Sequence, residues 1–300
     1  KDGIRDLVRS RGLGDVYKRQ IKDNSFYRTR TTLNYTNVTY TATHYGIYIT
    51  EKSNNCGGFT ITNNYIGGSA ANCAGADAWT FGPTTRKGNF RGIHVITGST
   101  SQSDISNNTI DHINITTSAS GTAQDCVFGG IMVNGYHKVN SNTLGTATYG
   151  ITVNGTTGNC DTDGICYFEE GGSAPASFEC SNNNLLKISV NNSAGNASFY
   201  GIRAYSKNYA LTFNCLNNVV GDNVANSIML TGTADSWVHG IFLSWGVSAN
   251  MNGNTIRNIT SNRGNIHGIK FQSDNVSGIT DTYSLAHTTI YQLTQTGVPA

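Results

Sequence analysis

Tyr45-Gly46-Ile47-Tyr48-Ile49, together with Phe59-Thr60-Ile61-Thr62-Asn63-Asn64-Tyr65-Ile66 further on, decides the fold. In the first run, apolar residues at alternate positions put Ile47 and Ile49 on one face of a strand and Tyr48 on the other. In the second, a strand ends, asparagines turn the chain, and a new apolar residue enters the core. Asparagine suits that turn because it tolerates the left-handed region and its amide bonds nearby backbone. Both patterns return. The Gly-Ile pair recurs as Gly46-Ile47, Gly92-Ile93, Gly130-Ile131, Gly150-Ile151, Gly201-Ile202, Gly240-Ile241 and Gly268-Ile269. The second signature, asparagine then any residue then a large apolar one, recurs as Asn24-Phe26, Asn64-Ile66, Asn108-Ile110, Asn142-Leu144, Asn184-Leu186, Asn218-Val220 and Asn254-Ile256.

Working outward, successive asparagine signatures lie 34 to 44 residues apart, and a Gly-Ile pair generally falls between them. Two coils of roughly 20 residues per repeat, about a dozen in all, is the simplest account. Such a coil cannot bury its own apolar face, so coils must stack and place Ile over Ile and Asn over Asn. The expected fold is therefore all-β, a single parallel β-helix over residues 21–300. Two irregular intervals, 20 residues from Gly130 to Gly150 and 51 from Gly150 to Gly201, predict loops inserted between coils. In repeat proteins such insertions project from one side and carry binding or catalysis.

Composition supports this reading. Charged residues make up only 13% of the chain and there are three prolines, yet regular apolar positions supply a core, which argues against disorder. No stretch approaches the roughly 18 continuous apolar residues of a membrane helix, and no 3.6-residue periodicity is sustained. Residues 1–20 stand apart, with six Lys/Arg, three Asp and no asparagine. The run Leu7 to Gln20 resembles a translated sequencing-adaptor peptide, so residues 1–20 are expected to be non-native and the remainder a piece of a longer chain. Residues 21–300 then hold 14 basic and 15 acidic side chains. That balance removes the charge-based case for nucleic acid or acidic membrane partners.

Chemistry is sparse. Asn159, Asp161, Asp163, Gly164 and Glu170 match a twelve-residue calcium-loop spacing, with oxygen ligands at positions 1, 3, 5 and 12 and glycine at 6. The departures are asparagine at position 1, Cys166 at position 8 and the lack of flanking helices. The rival reading is a polar inserted loop. Of the seven cysteines, Cys160, Cys166 and Cys180 fall in or near that segment, where Cys160–Cys166 or Cys166–Cys180 bridges would staple a loop; Cys56–Cys73 would do likewise. The rival reading makes Cys126 and Cys215 small apolar core residues. His239 and His267 both precede a Gly-Ile pair, as Tyr45, Tyr149 and Tyr200 do, so a shared slot accounts for them. Tyr48, Trp79, Trp237, Phe242 and Trp245 are candidate platforms for stacking sugar rings on a flat face.

Gly-Ile-x-Val strands alternating with Asn-Asn-x-Ile turns resemble the right-handed parallel β-helix repeats of the pectate-lyase-like superfamily. The Asn/Thr-rich, low-charge version is similar to large secreted surface proteins of Bacteroidetes-type bacteria. The superfamily's polygalacturonan hydrolases share Asn-Thr-Asp, Asp-Asp, Gly-His-Gly and Arg-Ile-Lys motifs. None is present here, and Gly268-Ile269-Lys270 only echoes the last. The resemblance implies a secreted or cell-surface module with a structural or adhesive role and a polysaccharide or cell-surface glycan as partner. The alternative it implies is a polysaccharide lyase or glycoside hydrolase acting on a plant or microbial polysaccharide. The one expected cofactor is Ca2+.

Overall fold

A computed structural model describes residues 19–29, 42–51, 56–81, 88–121, 125–169, 177–272 and 281–297. It is an all-β parallel solenoid, and 63% of the described residues are strand and 2% helix. Two 13-stranded sheets run the length of the stack. One turn comprises Gly88–Ile96, Ser103–Ser106, Thr109–Ile110 and Ile113–Thr117. The next comprises Phe128–Asn134, His137–Asn140, Thr143–Leu144 and Ile151–Gly155. Pairing is in register, so Ile93 lies beside Ile131, Ile105 beside Val139, Ile110 beside Leu144, and Ile113 beside Ile151. These and further in-register columns, such as Val95–Val133 and Ile115–Val153–Val190, fill the interior with buried apolar side chains.

The solenoid has about six turns, not a dozen coils. The two signatures are opposite walls of one turn rather than marks of two coils. A Cβ on Gly46 would fall 2.7 Å from the Ile66 side chain and 2.6 Å from the Gly92 carbonyl oxygen. The same collision awaits a side chain at Gly92 against Ile110, at Gly130 against Leu144, and at Gly240 against Ile256. The glycine is therefore the notch into which the apolar residue after the asparagine fits. Six turns at about 4.8 Å each give a stack of roughly 30 Å.

Spacing becomes regular once the register is known. Gly150-Ile151 lies in a different column, where Ile151 pairs with Ile113 and Ile188. The missing Gly-Ile copy is Gly164-Ile165, with Ile165 between Ile131 and Ile202. Intervals of 34 residues to Gly164 and 37 to Gly201 replace the irregular pair. No loop interrupts the strand that carries Gly164.

A continuous amide ladder forms one corner. It runs Asn24, Asn64, Asn108, Asn142, Asn183, Asn218, Asn254. The fifth rung is Asn183, not Asn184, and Leu185 is the buried residue that follows. At Asn108, Nδ2 donates to the Ile61 carbonyl and to Asn142 Oδ1, both at 2.9 Å. Its own Oδ1 accepts from the backbone N–H and the Nδ2 of Asn64. Burial of a primary amide is tolerable because every donor and acceptor is used. The residue before each rung (Asp23, Asn63, Asn107, Ser141, Asn182, Asn217 and Gly253) has φ between 54° and 68°. This left-handed corner explains the paired asparagines.

Most of the adaptor-like run lies outside the described residues. Its last two are placed: Gln20 opens the strand Gln20–Lys22, and the Arg19 carbonyl accepts from the Thr60 N–H.

Candidate recognition face on the Gly-Ile sheet

Each Gly-Ile strand breaks alternation in the same way. Glycine and isoleucine both face inward, so the residue before the glycine and the residue after the isoleucine both face outward. In-register stacking turns these two slots into parallel columns. The first holds Tyr45, Arg91, Gly129, Asp163, Tyr200, His239 and His267. The second holds Tyr48, His94, Met132, Cys166, Arg203, Phe242 and Lys270. Elsewhere the outward slots are plainer: Asn114, Thr152 and Ser189 form one column and Thr116, Asn154 and Asn191 another. Asp104, Lys138 and Glu179 form an ionisable column elsewhere and His112 stacks on the exposed Tyr149, while aromatic residues and histidines are frequent on the Gly-Ile face.

Two exposed aromatic platforms lie along it. At the amino-terminal end the rings of Tyr45 and Tyr48 stack with centroids 4.4 Å apart, 37% and 44% exposed. His94 lies 5.4 Å from Tyr48. Toward the other end Trp237 is 48% exposed, and Lys270 Nζ sits 4.8 Å from its ring centroid. Beside it His239 stacks on Phe242 at 5.0 Å and lies 5.0 Å from His267, so the shared histidine slot is a real stack.

Between the platforms lies a buried ionic centre. Asp163 is fully buried, and Arg203 Nη1 approaches its Oδ1 at 3.5 Å. The Arg203 guanidinium also lies 4.4 Å from the Tyr200 ring centroid. Burial pushes the Asp163 carboxyl above its ordinary range, and the Arg203 charge opposes that rise. Burial works most strongly against the Arg203 charge, but Asp163 together with Cys166, Tyr200 and Cys126 outweighs it, and the guanidinium is held more firmly protonated than usual. Burial, aided by Arg91, pushes His94 down to about 4. Burial, with Lys270, His267 and Arg203, pushes His239 down to about 3. These imidazoles are neutral at pH 7. Both His94 ring nitrogens and Nδ1 of His239 and of His267 are buried without a hydrogen-bond partner, whereas Asp163 is held by Arg203 and Cys126. Such atoms cost free energy when unmet, and they leave this face with bonding capacity for a ligand.

The segment expected to curl around calcium is instead the strand Cys160–Phe168, buried along its whole length. Its backbone pairs with neighbouring strands on both sides, and a twelve-residue loop cannot close around an ion while extended. Asp161 and Asp163 share the outer face, and Glu170 lies outside the described residues. Among the described residues no three His, Cys, Asp or Glu converge as a metal site.

The expected staples have no loop to close here. Cys73, Cys126, Cys160, Cys166, Cys180 and Cys215 are free thiols. Cys160 and Cys166 sit six residues apart in an extended strand, a separation of about 20 Å that no disulfide spans. Cys166 faces outward and Cys180 lies in the core, so a second bridge is blocked by the sheet itself. Cys180 and Cys215 are register partners, and each Sγ accepts from an asparagine Nδ2 of the ladder. Cys56 is half-buried and Cys73 buried.

Of the five predicted stacking residues, Tyr48, Trp237 and Phe242 fall on the outward face of the Gly-Ile sheet, although Phe242 is largely covered. Trp79 belongs to the other sheet, packs against the core and meets Phe90 edge-on at 5.6 Å. Trp245, at φ 68°, lies against Tyr205 at 5.3 Å. Sequence reasoning missed Tyr45, Arg91, His94 and Arg203 as partners. Reading the two slots that flank each Gly-Ile pair down the repeat would have found them, once Gly164-Ile165 was counted.

Against known proteins the chain has no match: no family model, no curated protein and no solved structure matches it.

Proposed function

We propose that the chain is a glycan-binding β-solenoid module of a secreted or cell-surface protein, built on the pectate-lyase-like scheme. The observation that carries this reading is the pair of exposed aromatic platforms, Tyr45–Tyr48 and Trp237 with Lys270, aligned on the one face that also holds the unmet polar atoms. A flat ring offers its π-face to the C–H face of a pyranose, and neighbouring cations and imidazoles offer hydrogen bonds to hydroxyl or acidic groups. Parallel stacking repeats these slots along the rod, which suits an extended polymer.

One observation favours the alternative, a polysaccharide lyase or glycoside hydrolase. Burial raises the proton affinity of Asp163 beside Arg203 and Tyr200, with Asp161 on the same outer face, and a carboxyl of raised affinity for protons is what a general acid requires. Affinity electrophoresis against neutral and acidic polysaccharides, with release of reducing ends measured on the same panel, separates the two. Retardation without product supports the binding module. Product that disappears in Asp163→Asn supports the enzyme. Neither retardation nor product across the panel would refute both.

A further inference from the structure

At the amino-terminal end of the Gly-Ile face, Tyr45, Tyr48 and His94 form one cluster. We propose that this cluster is a subsite for an uncharged, hydroxyl-rich pyranose. The proposal rests on the glycan-binding reading and narrows it to neutral polysaccharides. Tyr48 and His94 are register partners on adjacent strands, and Tyr45 shares the strand of Tyr48. The two tyrosine rings stack at 4.4 Å, and His94 lies 5.6 Å from Tyr45 and 5.4 Å from Tyr48. Both His94 ring nitrogens are buried without a partner. Rotation of the Tyr48 ring, which is 44% exposed, gives a bound sugar access to them.

Hydrogen-bonding chemistry decides between sugar classes. A neutral imidazole carries one N–H donor and one lone-pair acceptor. Pyranose hydroxyls both donate and accept, so two of them meet both nitrogens. A uronate carboxylate only accepts, so it leaves the acceptor nitrogen unmet and sets its charge against that lone pair. Burial, aided by Arg91, keeps the ring neutral by pushing it down to about 4. The cation in register beside Tyr45, Arg91, is 4% exposed, and its Nη1 donates to the Phe90 carbonyl. Just past the end of the strand Ala42–Thr50 stands the acid Glu51, which repels a carboxylate. Lys270 stands at the other platform, over Trp237.

Affinity electrophoresis of the full chain would compare soluble glucan, mannan and xylan with polygalacturonate and alginate, for the wild type, Tyr48→Ala and His94→Phe. A neutral polymer should be held at least about tenfold more tightly than either polyuronate, and Tyr48→Ala should weaken that binding by at least about tenfold. His94→Phe keeps a ring and removes both unmet nitrogens. It should weaken binding by a similar factor while leaving the thermal midpoint the same or higher, which a purely structural histidine would not do. Tighter binding of a polyuronate, lost in Tyr48→Ala, would overturn the neutral specificity and leave the glycan reading standing. Neutral binding unchanged in Tyr48→Ala and in His94→Phe would overturn the subsite and again spare that reading. Retention of no polymer would sink both.

Discussion

Single residues carry this fold where a side chain does a job the backbone cannot. Asn142 receives two bonds from Asn108 and gives Nδ2 to the Ile105 carbonyl and to Asn183 Oδ1. Asn142→Ala leaves several buried polar groups unmet at once and should cost on the order of 3–5 kcal/mol in urea unfolding. An effect near zero would mean that the ladder is ornamental. His137 makes a different prediction. It is fully buried, its Nε2 lies 2.7 Å from the Asn134 carbonyl, and burial pushes it from 6.5 down to about 4. Below pH 6.5 the unfolded chain takes up a proton that the folded chain refuses. The stabilisation is therefore complete above pH 6.5 and is lost as pH falls toward 4, by up to roughly 3 kcal/mol. His94 and His239 act in the same direction. Unfolding free energies at pH 7 and pH 4.5 should differ clearly in the wild type and by less in His137→Gln.

At the scale of the element, the strand Cys160–Phe168 shows what was legible in the sequence and what was not. Period-two alternation, the Gly-Ile pairs and the asparagine corners revealed the strands, the turns and the parallel stack. Two things were hidden. Asp161, Asp163 and Gly164 match a calcium loop by spacing alone, because spacing does not say whether a chain is curled or extended. The three consecutive asparagines at 182–184 left the register open by one residue, and only the inward fit of Leu185 settles it. The recognition face was half legible: Tyr48 and Trp237 stood out, but the ionic centre needed the register to bring Asp163 beside Arg203. That pair gives a prediction of its own. Asp163→Ala strands a buried guanidinium and should cost on the order of 3–5 kcal/mol, whereas Asp163→Leu with Arg203→Met should recover most of the loss. If the double variant is as unstable as the single one, the pair is not a coupled unit.

The whole molecule is a stack in which each turn buries its apolar columns only against its neighbours, so whole turns are the unit that can be removed. Deleting residues 165–201 joins Gly164 to Ile202, keeps the two flanking Gly-Ile strands continuous and brings Asn142 next to Asn218. This variant should retain a cooperative thermal transition. Deleting only residues 165–182 breaks the turn and should abolish that transition. Equal behaviour of the two deletions would restore the smaller coil as the repeat unit. The most direct test of the central claim, that the outward face of the Gly-Ile sheet is the recognition surface, compares faces on one rod. Affinity for a retained polysaccharide would be measured for Tyr48→Ala with Trp237→Ala, and for Thr152→Ala with Asn191→Ala on the opposite sheet. The account predicts a loss of at least about tenfold for the aromatic pair, given roughly 1–3 kcal/mol per stacked ring lost, and none for the other. Equal affinities in the two variants would contradict it.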